Sequence, residues 1–174
     1  MIESRQPFST QTAARWSKVF LLAAVALFFT LVVFNNITDF NSNYQFVRHV
    51  LSMDTTFPGN RGMWRALDAP AFHLAFYIGV IGWEAVNMAL GWAGAFALFR
   101  ARNTSLEVFT SAKRIGVVAL TSGILLWLVA FITVGGEWFL MWQSHIWNGQ
   151  DAAFRMFTVE AIILILLLMP EPSA

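Results

Sequence analysis

Cysteine is absent from this chain. Its absence excludes disulfides, thiolate metal sites and cysteine nucleophiles, and leaves the redox compartment open. Charge is scarce as well: 12% of the 174 residues are Asp, Glu, Lys or Arg, and the formal net charge is +1. A soluble domain usually carries about 25% charged residues. A surface that grips nucleic-acid phosphates needs a concentrated basic face, so nucleic acid is not expected as a partner. The chain also lacks internal repeats, a Gly-rich phosphate loop, a Ser-His-Asp set and a zinc-protease motif. These absences leave no catalytic signature.

Long apolar runs fill the space: 57% of the residues are hydrophobic. Four stretches, roughly 17–36, 69–99, 113–135 and 150–169, are long enough or nearly so to cross a hydrocarbon core about 30 Å thick at 1.5 Å per helical residue. Together they take up most of residues 1–174, so a single transmembrane domain is expected, without a separate soluble domain. The first stretch follows Arg5, Arg15 and Lys18 as a signal peptide would. It is longer than the usual signal core, however, and Asn35-Asn36-Ile37-Thr38-Asp39 follows it without a small-residue cleavage pattern, so a retained helix is expected. The expected fold is an all-α membrane protein, an antiparallel four-transmembrane-helix bundle.

Basic residues set the expected orientation. The N-terminal segment and the segment 100–114 hold seven: Arg5, Arg15, Lys18, Arg100, Arg102, Lys113 and Arg114. The segment 35–70 holds three, Arg48, Arg61 and Arg65, and 135–151 holds none. The positive-inside rule then puts both termini in the cytoplasm. Within the first outward loop, Tyr44, Phe46, Val47, Val50, Leu51 and Met53 recur near helical spacing, which predicts a short amphipathic surface helix. Asp54 to Asn60 reads as a turn, and Asp68 before Ala69-Pro70 as the cap of the second span. The second outward loop is rich in tryptophan, the residue favoured at membrane–water boundaries. Gly135-Gly136 is expected to break the third helix, and Asn148-Gly149 to turn into the fourth.

Polar residues inside the stretches are the candidate sites. His73, Tyr77, Glu84 and Asn87 fall within about 40° of one another's mean direction at 100° per residue, one stripe on the second span. Glu84 lies about 21 Å along the helix from Pro70, near mid-bilayer, where a carboxyl is costly unless neutral or partnered. It is expected to face the interior and to bond Asn87, Thr121 or Ser122, or to serve as a proton or ion site. Glu160 in the fourth span is expected near Tyr77 and hydrogen-bonded to it. Arg155 reads as an interfacial anchor, or as a partner of Glu137 or Asp151. The three histidines, His49, His73 and His145, share the outer side without metal-ligand spacing, so no metal or cofactor is expected; a haem or metal site is the minor reading. Gly79, Gly82, Gly91 and Gly94 suit close helix approach. Asn36-Ile37-Thr38 and Asn103-Thr104-Ser105 match the glycosylation sequon, a pattern common by chance.

Three strings are distinctive: Asn35-Asn36-Ile37-Thr38-Asp39; His49-Val50-Leu51-Ser52-Met53-Asp54-Thr55-Thr56-Phe57-Pro58; and Gly135-Gly136-Glu137-Trp138-Phe139 through Trp147-Asn148-Gly149-Gln150. In them the chain, from about Ser17 to Met169, resembles a bacterial family of predicted small integral membrane proteins, domain-of-unknown-function family 2165. The resemblance implies a four-helix protein of the bacterial cytoplasmic membrane. It implies no activity and supplies no catalytic residues. It marks the outer loops as the most distinctive surface. Interaction candidates there are Arg48, His49, Asp54, Glu137, Trp138, Trp142, His145, Trp147 and Arg155. The favoured expectation is a non-catalytic accessory or scaffolding subunit packed against a larger membrane complex. The alternatives are a small oligomeric transporter or proton conductor using Glu84 with Glu160, and a haem-, quinone- or metal-binding subunit using the outer histidines.

Overall fold

The computed structural model describes residues 9–172. Five α-helices carry the fold: α1 (Thr10–Thr38), α2 (Phe40–Ser52), α3 (Pro70–Ala101), α4 (Leu106–Leu125) and α5 (Gln150–Leu168). α4 runs on as a π-helical segment, Leu126–Trp138. Among the described residues there is no strand. Three helical stretches, Thr10–Thr38, Pro70–Ala101 and Leu106–Trp138, are long and apolar enough to cross a membrane.

The helix ends follow local chemistry. The Ser9 and Ser105 side chains accept the Thr12 and Val108 amides and start α1 and α4. α3 starts differently from expectation. Its cap is Ala69, not Asp68, with no side-chain cap bond, and Pro70 in the first turn leaves one amide fewer to satisfy. The connection between α3 and α4 is also shorter than expected. Lys113 and Arg114 lie within α4, which begins at Leu106, and only 102–105 remain as loop. Gly135 and Gly136 do not break the helix. It continues through them in the wider π form, with the Phe139 amide bonded five residues back to the Val134 carbonyl at 3.0 Å. The turn comes after it, at Leu140, in the left-handed region at φ 54°. Gly136 instead leaves space that the Gln150 side chain occupies.

Neighbouring long helices run antiparallel. α1 meets α3 where Gly91 lies against Ala26, and Asn36 reaches Glu84 further along. α3 meets α4 where Gly94 lies on the backbone of Gly116, and α4 meets α5 at Gly116–Leu167 and Gly123–Glu160. The inward stripe of α3 is His73, Tyr77, Glu84, Asn87, Gly91, Gly94, Ala95 and Leu98. Its large apolar side chains, among them Phe72, Phe76, Ile78, Val86 and Phe96, point outward. Such an arrangement suits hydrocarbon surroundings, where apolar outer faces carry no penalty and small or polar groups make the helix contacts.

The two ends differ. At one, the cap, α2 and the 139–149 loop bury Val50, Leu51, Met53, Phe139 and Met141 together. The amphipathic helix expected around Tyr44–Met53 is α2, and Met53 closes it in the left-handed region at φ 54°. The loops are tied by Thr55 donating to the Ser144 hydroxyl at 2.8 Å and by the Phe57 amide donating to Gln143 at 3.0 Å. At the other, basic end, Arg15 donates to the carbonyls of Arg102 and Thr104 at 2.9 and 2.7 Å, fastening α1 to the α3–α4 loop. Lys18 and Lys113 converge on Glu171 at 2.5 and 2.7 Å, and both donate to the Met169 carbonyl at 3.0 Å. These bonds satisfy the carbonyl end of α5 with two cations, as its dipole favours.

Candidate functional site

The expected stripe on α3 is present: His73, Tyr77, Glu84 and Asn87 are all buried. Its partners are not the expected ones. Glu84 does not bond Asn87, Thr121 or Ser122. Its Oε2 accepts from Asn36 Nδ2 at 2.6 Å. Asn36 Oδ1 in turn accepts from Asn43 at 2.6 Å and from the Tyr77 hydroxyl at 3.3 Å. Ser122 serves another group, accepting the Trp83 indole N–H at 2.9 Å. The reason is position: Asn36 ends the inward stripe of α1 after Leu22, Phe29 and Val33, and the α1–α3 pairing carries it to the level of Glu84. That spacing of three and four was visible in the sequence, but Asn36 sits among polar residues and reads there as loop. Its buried, bonded side chain is also no surface sugar acceptor.

The Tyr77–Glu160 bond does not form. Glu160, fully enclosed, accepts from Trp127 Nε1 at 2.8 Å. Trp127 is a functional-looking residue that periodicity could not single out, because an inward tryptophan on an apolar helix reads as packing. The Glu160 carboxyl fills the place of a side chain at Gly123. Asn87 lies seven residues before Gly94 and Gly123 seven after Gly116. The antiparallel pairing therefore puts Asn87 and Glu160 in one layer. Glu160 Oε2 and both polar atoms of Asn87 have no hydrogen-bond partner among the described residues.

Two spaces adjoin this layer towards the cap. One, of about 260 Å³, is lined by Asn36, Asn43, Tyr77, Glu84 and Trp127 together with apolar residues that include Phe46 and Phe131. The other, of about 550 Å³, is a wholly hydrocarbon-walled groove between α2, α3 and the π segment, with Phe72, Phe76, Val80 and Val134 on its sides.

The cap residues are brought together in pairs rather than as one centre. His49 Nδ1 lies 2.7 Å from Asp54 and its ring stacks on Trp147 at 4.6 Å. His73 Nε2 donates to the Leu67 carbonyl at 2.5 Å, and His145 is exposed in the loop. The three histidines thus have separate surroundings, and no group of three His, Asp or Glu side chains capable of holding a metal occurs among the described residues. Trp138 packs edge-on to Trp64 at 5.8 Å under the Arg65 guanidinium, and Trp142 packs on Phe57 at 5.7 Å. Arg48 donates to Gln45 at 3.2 Å. Arg155, Glu137 and Asp151 are exposed, and none forms an ion pair among the described residues. Of the two readings of Arg155, the ion pair is therefore not formed.

These features define an all-helical integral membrane protein with carboxyl groups inside its helix packing. The chain belongs to the family described as predicted small integral membrane protein (DUF2165), whose model matches residues 14–170. No curated protein and no solved structure matches it.

Proposed function

We propose that the protein is a non-catalytic subunit of the bacterial cytoplasmic membrane that docks on a larger membrane complex through its cap. One observation carries this reading: the cap exposes several large apolar side chains. Trp64 is 76% exposed and packs on the exposed Trp138, while Ile146, 74% exposed, and Trp142, packed on Phe57, are exposed in the 139–149 loop. An exposed apolar patch rimmed by polar groups is the usual mark of an interaction surface. Arg65, stacked on Trp64 and Trp138, adds the aromatic–guanidinium chemistry common at the centre of interfaces. Purification from native membranes in mild detergent, followed by intact-complex mass spectrometry, should give a stoichiometric larger partner. The double variant Trp64→Ala, Ile146→Ser should lose that partner at unchanged helix content. A lone homo-oligomer would overturn the reading.

The proposed topology has four crossings, with both termini cytoplasmic and the cap outside. α5, at 19 residues, spans about 28 Å. Its charges do not oppose a crossing: Asp151 is in the first turn, Arg155 is one turn further and can snorkel, and Glu160 is enclosed by protein. Ile162, Ile165 and Leu168 form its outward face. The natural absence of cysteine makes the test clean. Ile146→Cys should react with a membrane-impermeant maleimide in intact spheroplasts, and Asn103→Cys only after permeabilisation. The reverse pattern would invert the topology.

A further inference from the structure

Glu84 is a carboxyl group without a counter-ion. No Lys, Arg or His pairs with it among the described residues. The buried cations Arg15 and Lys18 sit 21 and 18 residues before Asn36 on the same helix, so they lie about 32 and 27 Å from its level. Asn36 occupies only one carboxyl oxygen, Oε2, and its own amide is held in place by Asn43 and Tyr77. The other oxygen makes no hydrogen bond to a described residue, and Glu84 lines the 260 Å³ cavity beneath α2. Asn43, exposed on α2, and Ala152, exposed at the start of α5, stand at the mouth.

The lining selects the ligand class. A hard metal ion wants about six oxygen ligands. Here the carboxyl, two amides and one hydroxyl are already largely engaged with one another, and the rest of the wall is hydrocarbon and aromatic ring. The space is far larger than a bare ion, yet small for a lipid. A single anionic group facing aromatic surfaces is the chemistry that recognises alkylammonium ions, where the ring faces attract the cation and the carboxylate balances its charge. We propose that this cavity binds a small organic monocation, its ammonium paired with Glu84 and packed against the rings of Phe46, Trp127 and Phe131. Asn36 is the positioning residue, holding the carboxyl so that its second oxygen faces the cavity. The site is independent of any partner on the cap.

The experiment is equilibrium binding of labelled choline to the full chain in nanodiscs. Competition is measured with tetramethylammonium and with 3,3-dimethylbutan-1-ol, the neutral isostere of choline. Saturable binding is expected, displaced by tetramethylammonium but not by the neutral alcohol. Glu84→Gln should weaken it by about tenfold or more. Ala152→Trp, which fills the mouth and leaves Glu84 in place, should weaken it likewise, and decides the matter if Glu84→Gln fails to fold. No saturable binding into the millimolar range, equal displacement by the neutral alcohol, or wild-type binding by the folded variants would overturn the proposal.

Discussion

Replacing Gly94 by alanine is expected to destabilise the protein by about 2 kcal/mol. The added Cβ would lie 2.8 Å from the Gly116 amide nitrogen and 3.0 Å from its Cα. Both atoms are backbone, so the only relief is separation of α3 from α4, and Leu22 of α1 closes the third side at 3.0 Å. Overpacking of this kind costs about 3 kcal/mol at its upper range, offset by about 1 kcal/mol of helix propensity gained on leaving glycine. Gly94→Val, with a branched side chain and less propensity gain, should cost more. Gly79 on the same helix provides the control, since a Cβ there meets nothing within 4 Å. Gly79→Ala should be neutral or stabilising by up to about 1 kcal/mol. Denaturant midpoints in detergent micelles measure both variants. Equal effects at the two glycines would refute the packing assigned to them.

The second large effect is expected at the basic end. Glu171→Gln leaves Lys18 and Lys113 facing each other, both less than a tenth exposed, with no anion between them. Removing one member of a buried charge cluster costs about 3 kcal/mol. Burial would raise the Glu171 carboxyl, but the hydrogen bonds and charges of Lys113 and Lys18 outweigh it and hold the carboxyl below its ordinary value of 4.5. A carboxyl with a depressed folded value stabilises fully above its unfolded value. That stabilisation is lost as pH falls through the folded one. The contribution of Glu171 to wild-type stability should therefore be constant from pH 7 down to about 5 and be lost below it. Glu171→Gln should begin lower and respond less to acid. A parallel acid response in the two proteins would place the acid-sensitive group elsewhere.

Much of the architecture was legible in the residues, and the places where it was not share a cause. The α3 stripe could be read because 100° per residue is a local rule, and His73, Tyr77, Glu84 and Asn87 obey it. α2 was legible for the same reason. The errors arose where a backbone choice or a distant segment intervened. Gly135-Gly136 permits a break, but the segment satisfies its carbonyls in π form and continues to Trp138. Lys113 stands at the start of the third expected stretch, yet it lies two turns inside α4, which begins at Leu106, and its ammonium reaches Glu171.

The sequence alone determined the all-helical, membrane-embedded character of this protein and the face of α3 that turns inward. These follow from run length, composition and periodicity within single segments. Only the tertiary structure decided what each buried polar group meets: Asn36 for Glu84, Trp127 for Glu160, and two lysines for Glu171. Those pairings depend on the register between helices far apart in the chain. Close contacts such as Gly91 on Ala26 and Gly94 on Gly116 set that register, and no periodicity within one helix encodes it.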